Sequence, residues 1–116
     1  MPKKKLKITI KTKEELLEEE VMGLIQNNKI IYHEQKDTKV EYNLTHHQLK
    51  RSNQELEMNY TFHPSKPTQG LIKIKDLQKE WSVPIQTTKL VEEEGRISIE
   101  YEVENHFVKY QIEVIK

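Results

Sequence analysis

Arg96-Ile97-Ser98-Ile99-Glu100-Tyr101-Glu102-Val103, then Glu104-Asn105, then His106-Phe107-Val108-Lys109-Tyr110-Gln111-Ile112-Glu113-Val114: through most of this stretch apolar and polar side chains take turns. Ile97, Ile99, Tyr101 and Val103 alternate with Ser98, Glu100 and Glu102. Val108, Tyr110, Ile112 and Val114 alternate with Lys109, Gln111 and Glu113. In an extended chain successive side chains point to opposite faces, so a period of two sorts them into a buried face and a wet one. Two such runs around a short polar turn predict an antiparallel hairpin.

The same period recurs upstream, at Leu6, Ile8 and Ile10, at Val40, Tyr42 and Leu44, and at Leu56, Met58, Tyr60 and Phe62. It returns at Ile72 and Ile74 and again at Trp81, Val83 and Ile85. Turn residues separate the runs. Asn27-Asn28 divides Met22–Gln26 from Lys29–Glu34, and asparagine tolerates the left-handed backbone of tight hairpins. Lys36-Asp37, Ser52-Asn53 and Asp76 are weaker breaks, and His63–Gly70, with two prolines, reads as the longest loop. Residues 13–26 admit two readings. Thr12-Lys13-Glu14-Glu15 resembles a capping box, and Leu17, Val21, Leu24 and Ile25 have helical spacing, which would give a short helix over Lys13–Glu19. Gly23 and the turn beyond Ile25 favour a strand or bent strand from about Leu16 to Gln26.

About nine or ten short strands joined by brief turns leave no helix to cover their apolar faces. Such a sheet must close on itself or pack on another. The expected fold is all-β: an antiparallel up-and-down barrel of about 8–10 strands. It would form one domain over 1–116, with 1–4 as a basic tail.

Charge narrows the function classes. Nineteen basic residues balance 19 acidic ones in the 116-residue chain, which argues against a dedicated nucleic-acid binder or a surface for anionic membranes. There is no cysteine, so neither disulfides nor thiolate chemistry are available. The basic Met1–Lys5 start is not followed by an apolar run, and no stretch reaches the length of a membrane span. A soluble cytoplasmic protein without a cofactor is the expectation.

The order of features resembles the YwiB-like family of uncharacterised bacterial proteins. The matching residues are Gly23-Leu24 before a hairpin, Tyr32-His33-Glu34, Leu49-Lys50-Arg51 and Met58-Asn59-Tyr60-Thr61-Phe62. Near the end come Thr88-Lys89-Leu90, Gly95-Arg96-Ile97-Ser98-Ile99-Glu100-Tyr101 and the last strand, Tyr110–Ile115. The chain departs in the middle, where Ile72-Lys73-Ile74 and Asp76-Leu77-Gln78-Lys79 replace the family's Tyr-x-Thr and glycine. The resemblance implies a calycin-like barrel, related in shape to lipocalins, and no established activity.

Candidate chemistry is sparse. His33, His46, His47, His63 and His106 show no ligand spacing, and His46-His47, read as neighbours on a strand, would face opposite ways. Glu18-Glu19-Glu20 and Glu92-Glu93-Glu94 read as solvated runs divided between two faces. No metal site and no catalytic constellation is expected, and the chain reads as a non-enzyme. Polarity aimed inward is more informative. If Ile30 and Tyr32 face the core, Glu34 does too, and Leu49 carries Arg51 inward by the same parity. A charge placed there needs a partner, which predicts a Glu34–Arg51 pair near the barrel mouth. Tyr42, Met58, Tyr60, Phe62, Trp81, Tyr101 and Tyr110 either line a cavity or fill the core; the lack of interior glycine or alanine favours a narrow interior. The favoured reading is a binding module for a small, partly apolar or amphipathic ligand at one mouth, lined by Tyr32, Glu34, Arg51, Trp81 and Tyr101. The alternative is a filled barrel acting as a protein–protein interaction module, with edges such as Leu6–Ile10 pairing into a homodimer or with another protein.

Overall fold

The computed structural model describes residues 3–34 and 37–115. Ten strands follow one another: β1 (Lys3–Thr12), β2 (Leu16–Gln26), β3 (Lys29–Glu34), β4 (Thr38–Asn43), β5 (Gln48–Ser52), β6 (Leu56–Thr61), β7 (Thr68–Ile74), β8 (Lys79–Glu93), β9 (Arg96–Val103) and β10 (His106–Ile115). Each pairs antiparallel with the next, and β10 returns to β1, with Ile8 opposite Ile112 and Ile10 opposite Tyr110. The result is a closed up-and-down barrel of ten strands. Closure removes the apolar sheet face from water without a covering helix, as the alternation requires. Leu6, Val40, Tyr42 and Ile85 are wholly buried, while their sequence neighbours are exposed or half-buried. Asn27 and Asn28 both take positive φ, 50° and 65°, as do Glu104 and Asn105 at 49° and 65°. Both two-residue turns thus have the left-handed geometry that matches strand twist.

Several expectations need correction, but of the two readings of residues 13–26 the favoured strand over Leu16–Gln26 is the one that forms. No helix follows Thr12: the Glu15 N–H donates to Thr12 Oγ1 at 3.1 Å, and the Thr12 N–H to the Glu15 carbonyl at 2.9 Å. The Thr12 hydroxyl therefore caps a tight turn, and β2 runs on from Leu16. Lys3 and Lys4 are not tail but belong to β1, opposite Leu24 and Gly23; Met1, Pro2 and Lys36 lie outside the described residues. The loop after His63 is shorter than expected because Thr68, Gln69 and Gly70 already pair with β8. Gly70 sits where Tyr60 and Ile85 press in; a Cβ there would lie 2.6 Å from the Tyr60 ring. His46 and His47 lie in a turn, not on a strand, because the Asn43 carboxamide accepts the Thr45 and His46 N–H groups. Leu6–Ile10 is no edge: it is paired on both sides, by β10 and by β2.

Two features set the shape of the interior. First, β8 continues past Ile85 through a bulge between Thr87 and Lys89. The inward parity passes from Val83 and Ile85 to Leu90 and Glu92, so one residue of an acidic run enters the barrel end bounded by the β4–β5, β6–β7 and β8–β9 turns. There Glu92 Oε2 accepts the Tyr42 hydroxyl at 2.7 Å and lies 2.8 Å from His47 Nδ1, plugging that end. Second, β2 pairs with β1 from Leu16 to Leu24 but with β3 only over Leu24–Gln26. Beyond those three pairs the ladder between β2 and β3 stops, toward the opposite end of the barrel.

Candidate functional site

That opposite end is bounded by the turns after β1, β3, β5, β7 and β9. Tyr32 is fixed inside β3 by alternation with Ile30, and Glu34 follows on the same face at the strand end. Leu49 is buried in β5 and carries Arg51 inward in the same way. The two charged groups meet. Arg51 Nε donates to Glu34 Oε1 at 2.6 Å, and Nη2 reaches Oε2 at 3.4 Å. Their side chains keep 25% and 22% of their exposure, so the pair sits at the water's edge. Burial, the largest influence, would lower the pKa of Arg51, but the Glu34 carboxylate together with the Tyr110 and Tyr32 hydroxyls outweighs it and holds the guanidinium above its ordinary value.

Tyrosine hydroxyls surround this pair. Tyr32 and Tyr110 hydrogen-bond to each other through their hydroxyls, joining β3 to β10 across the interior. Burial raises both pKa values, for Tyr110 well above the ordinary one. Burial likewise pushes Tyr101 up to about 12. Tyr101 meets Tyr60 edge-on at 6.1 Å and Phe62 at 4.8 Å, an aromatic floor beneath the mouth.

Above that floor lies a cavity of about 240 Å³ lined by Ile10, Leu49, Arg51, Met58, Tyr60, Tyr101 and Tyr110, with Thr12, Val103 and Val108 at its rim. A second hollow of about 220 Å³ opens beside it where β2 leaves β3, lined by Ile8, Ile10, Leu17, Glu18, Glu19 and Glu34. Ile10 borders both, Arg51 belongs to one and Glu34 to the other. The ion pair therefore stands between them. Each hollow is smaller than the roughly 300 Å³ at which drug-sized sites begin; with the pair opened, the two together exceed it.

Of the sequence candidates, Glu34, Arg51 and Tyr101 line the two hollows, and Tyr32 lies buried behind them, joined to Tyr110. Trp81 does not join them. It lies opposite Ile72 on β7, but β9 pairs with β8 only from Ile85 onward, so the indole has a neighbour on one side and stays 42% exposed outside the cavity. Sequence reasoning missed Leu17 and Glu19, whose parity with buried Gly23 would have aimed them inward once β2 was read as a strand. The histidines do not converge, and no group of three or more His, Asp or Glu among the described residues is placed to hold a metal ion. Among those residues no helix is long and apolar enough to cross a membrane.

The chain is similar in structure to the ywiB protein from Bacillus subtilis, known from a crystal structure. The TM-score is 0.63 at 20% sequence identity, over 98% of this chain and 91% of that one. The two share a fold. No protein-family model matches the chain, and no curated protein matches it.

Proposed function

We propose that this chain is a diverged member of the YwiB-like family, with a calycin-like barrel. In it the open end binds one small amphipathic molecule bearing a carboxylate or a hydroxyl. The nearly complete mutual coverage with the ywiB protein supports the family reading. The observation that carries the binding reading is Arg51: a cation held inside an apolar and aromatic hollow, with Glu34 as its bidentate partner. A ligand carboxylate would take the place of Glu34 on the guanidinium, since the planar fork donates to either in the same geometry. Its apolar portion would lie against Met58, Leu49 and the tyrosine rings. Binding is favoured over turnover because the carboxylate nearest the cavity, Glu34, is engaged through both its oxygens by Arg51.

Titration calorimetry with octanoate tests this. Arg51→Met should weaken binding about tenfold or more, the size of one charge-assisted hydrogen bond of about 1.5–3 kcal/mol. Glu34→Gln, which frees the guanidinium from its carboxylate, should tighten it. Octanoate affinity that is indifferent to both substitutions would refute Arg51 as the anchor.

A further inference from the structure

Residues Leu16–Gly23 of β2 have a ladder partner on one side only, β1; among the described residues none pairs with β3. Gly23 still lies against Ile31 and Tyr32 of β3, but along Leu16–Val21 a row of backbone N–H and C=O groups lacks a ladder partner at the rim of the second hollow. Long open edges accept further strands unless something prevents it. Leu16, Leu17 and Met22 on this edge are all more than half exposed. Between them stand three glutamates. Glu18 and Glu20 point outward and are partly neutralised by Lys7 at 3.2 Å and Lys5 at 3.7 Å. Glu19 points the other way, opposite Ile8, into the hollow that Glu34 also lines; no cation among the described residues reaches it within 4.0 Å.

These charges choose between occupants. Two copies of β2 pairing antiparallel about Glu19 would set Glu19 against Glu19 and Glu18 against Glu20, which is unfavourable. We propose that the free edge of β2 docks an extended basic peptide of a partner protein, whose lysine or arginine side chains alternate with apolar ones. Backbone hydrogen bonds to Leu16–Val21 would hold it. One inward side chain would meet Leu17, and a basic one Glu19.

The probe is a fluorescein-labelled octapeptide of alternating lysine and valine, read by anisotropy with the full chain at about 0.15 M salt, where loose surface attraction is screened. Binding should weaken at least tenfold with Glu19→Lys, and equally when proline interrupts the peptide. Hydrogen exchange should slow at Leu16–Val21 on binding. The proposal is overturned if the proline-bearing peptide binds as well, if Glu19→Lys leaves affinity unchanged, or if protection appears elsewhere. It is also overturned if the free chain is found to dimerise through β2.

Discussion

All five tyrosines of the chain have pKa values raised by burial, which makes the barrel vulnerable to alkali in a calculable way. In the unfolded chain a tyrosine ionises near pH 10; in the barrel Tyr101 resists until about 12, Tyr32 and Tyr42 resist longer, and Tyr110 is raised well above its ordinary value. A raised folded pKa means that the unfolded state releases its proton first. Stability is therefore intact below pH 10 and falls as pH rises through the window between the two pKa values. Tyr32, Tyr42 and Tyr101 each remove about 1.4 kcal/mol by pH 11, roughly 4 kcal/mol together, and Tyr60 and Tyr110 add to this in the same direction, so the loss is a large part of the stability of a small domain. The assay is a pH titration followed at once by tyrosinate absorbance and far-ultraviolet circular dichroism. The barrel should stay folded and un-ionised at pH 10, then unfold between about pH 10.5 and 12 with all five phenols ionising together. One phenol titrating near pH 10 while the sheet signal persists would show that ring to be in water and refute its inward placement.

Three further outcomes concern packing and pairing. Tyr32→Phe should cost about 1–2 kcal/mol in urea unfolding by orphaning the Tyr110 hydroxyl, while Tyr32→Phe/Tyr110→Phe should recover most of it; additive losses would mean that the hydroxyls do not meet. Gly23→Ala should cost about 3 kcal/mol or more, because its Cβ would sit 2.9 Å from the Ile31 carbonyl oxygen, which is main chain and cannot withdraw. Gly70→Ala should cost only about 1–2 kcal/mol, since the Tyr60 ring it strikes borders a cavity and can yield; equal urea midpoints for the two would contradict this. Arg51→Met alone should destabilise by about 1–3 kcal/mol and Arg51→Met/Glu34→Leu by less, with a double-mutant cycle as the check.

Much of this was legible because alternation is local and strict. Ile30, Tyr32 and Glu34, set beside Leu49 and Arg51, were enough to predict an ion pair between strands 17 residues apart. What escaped were places where parity breaks or one side of a strand has no neighbour. The bulge at Thr87/Lys89 shifts the phase of β8, so Leu90 and Glu92 could not be assigned from Trp81, Val83 and Ile85. The plug of Tyr42, Glu92 and His47 was hidden for that reason, and because His47 sits in a turn with φ of 53°. β2 lacks a second partner over most of its length, so its apolar residues stay exposed and show no clean burial pattern. Trp81 carried the right parity on a strand that outruns its neighbour.

The topology also has a consequence for how the chain is made. Every pairing joins strands adjacent in sequence except one, β1 with β10. A ribosome that delivers the strands in order lets each hairpin form as soon as its second arm appears, at little loop-closure cost. β1 is the exception. Its Leu6, Ile8 and Ile10 wait for their last neighbours until about a hundred more residues have been added, which at roughly 5–20 residues per second is a matter of five to twenty seconds. During synthesis, then, the strand most exposed to wrong partners is the first one made.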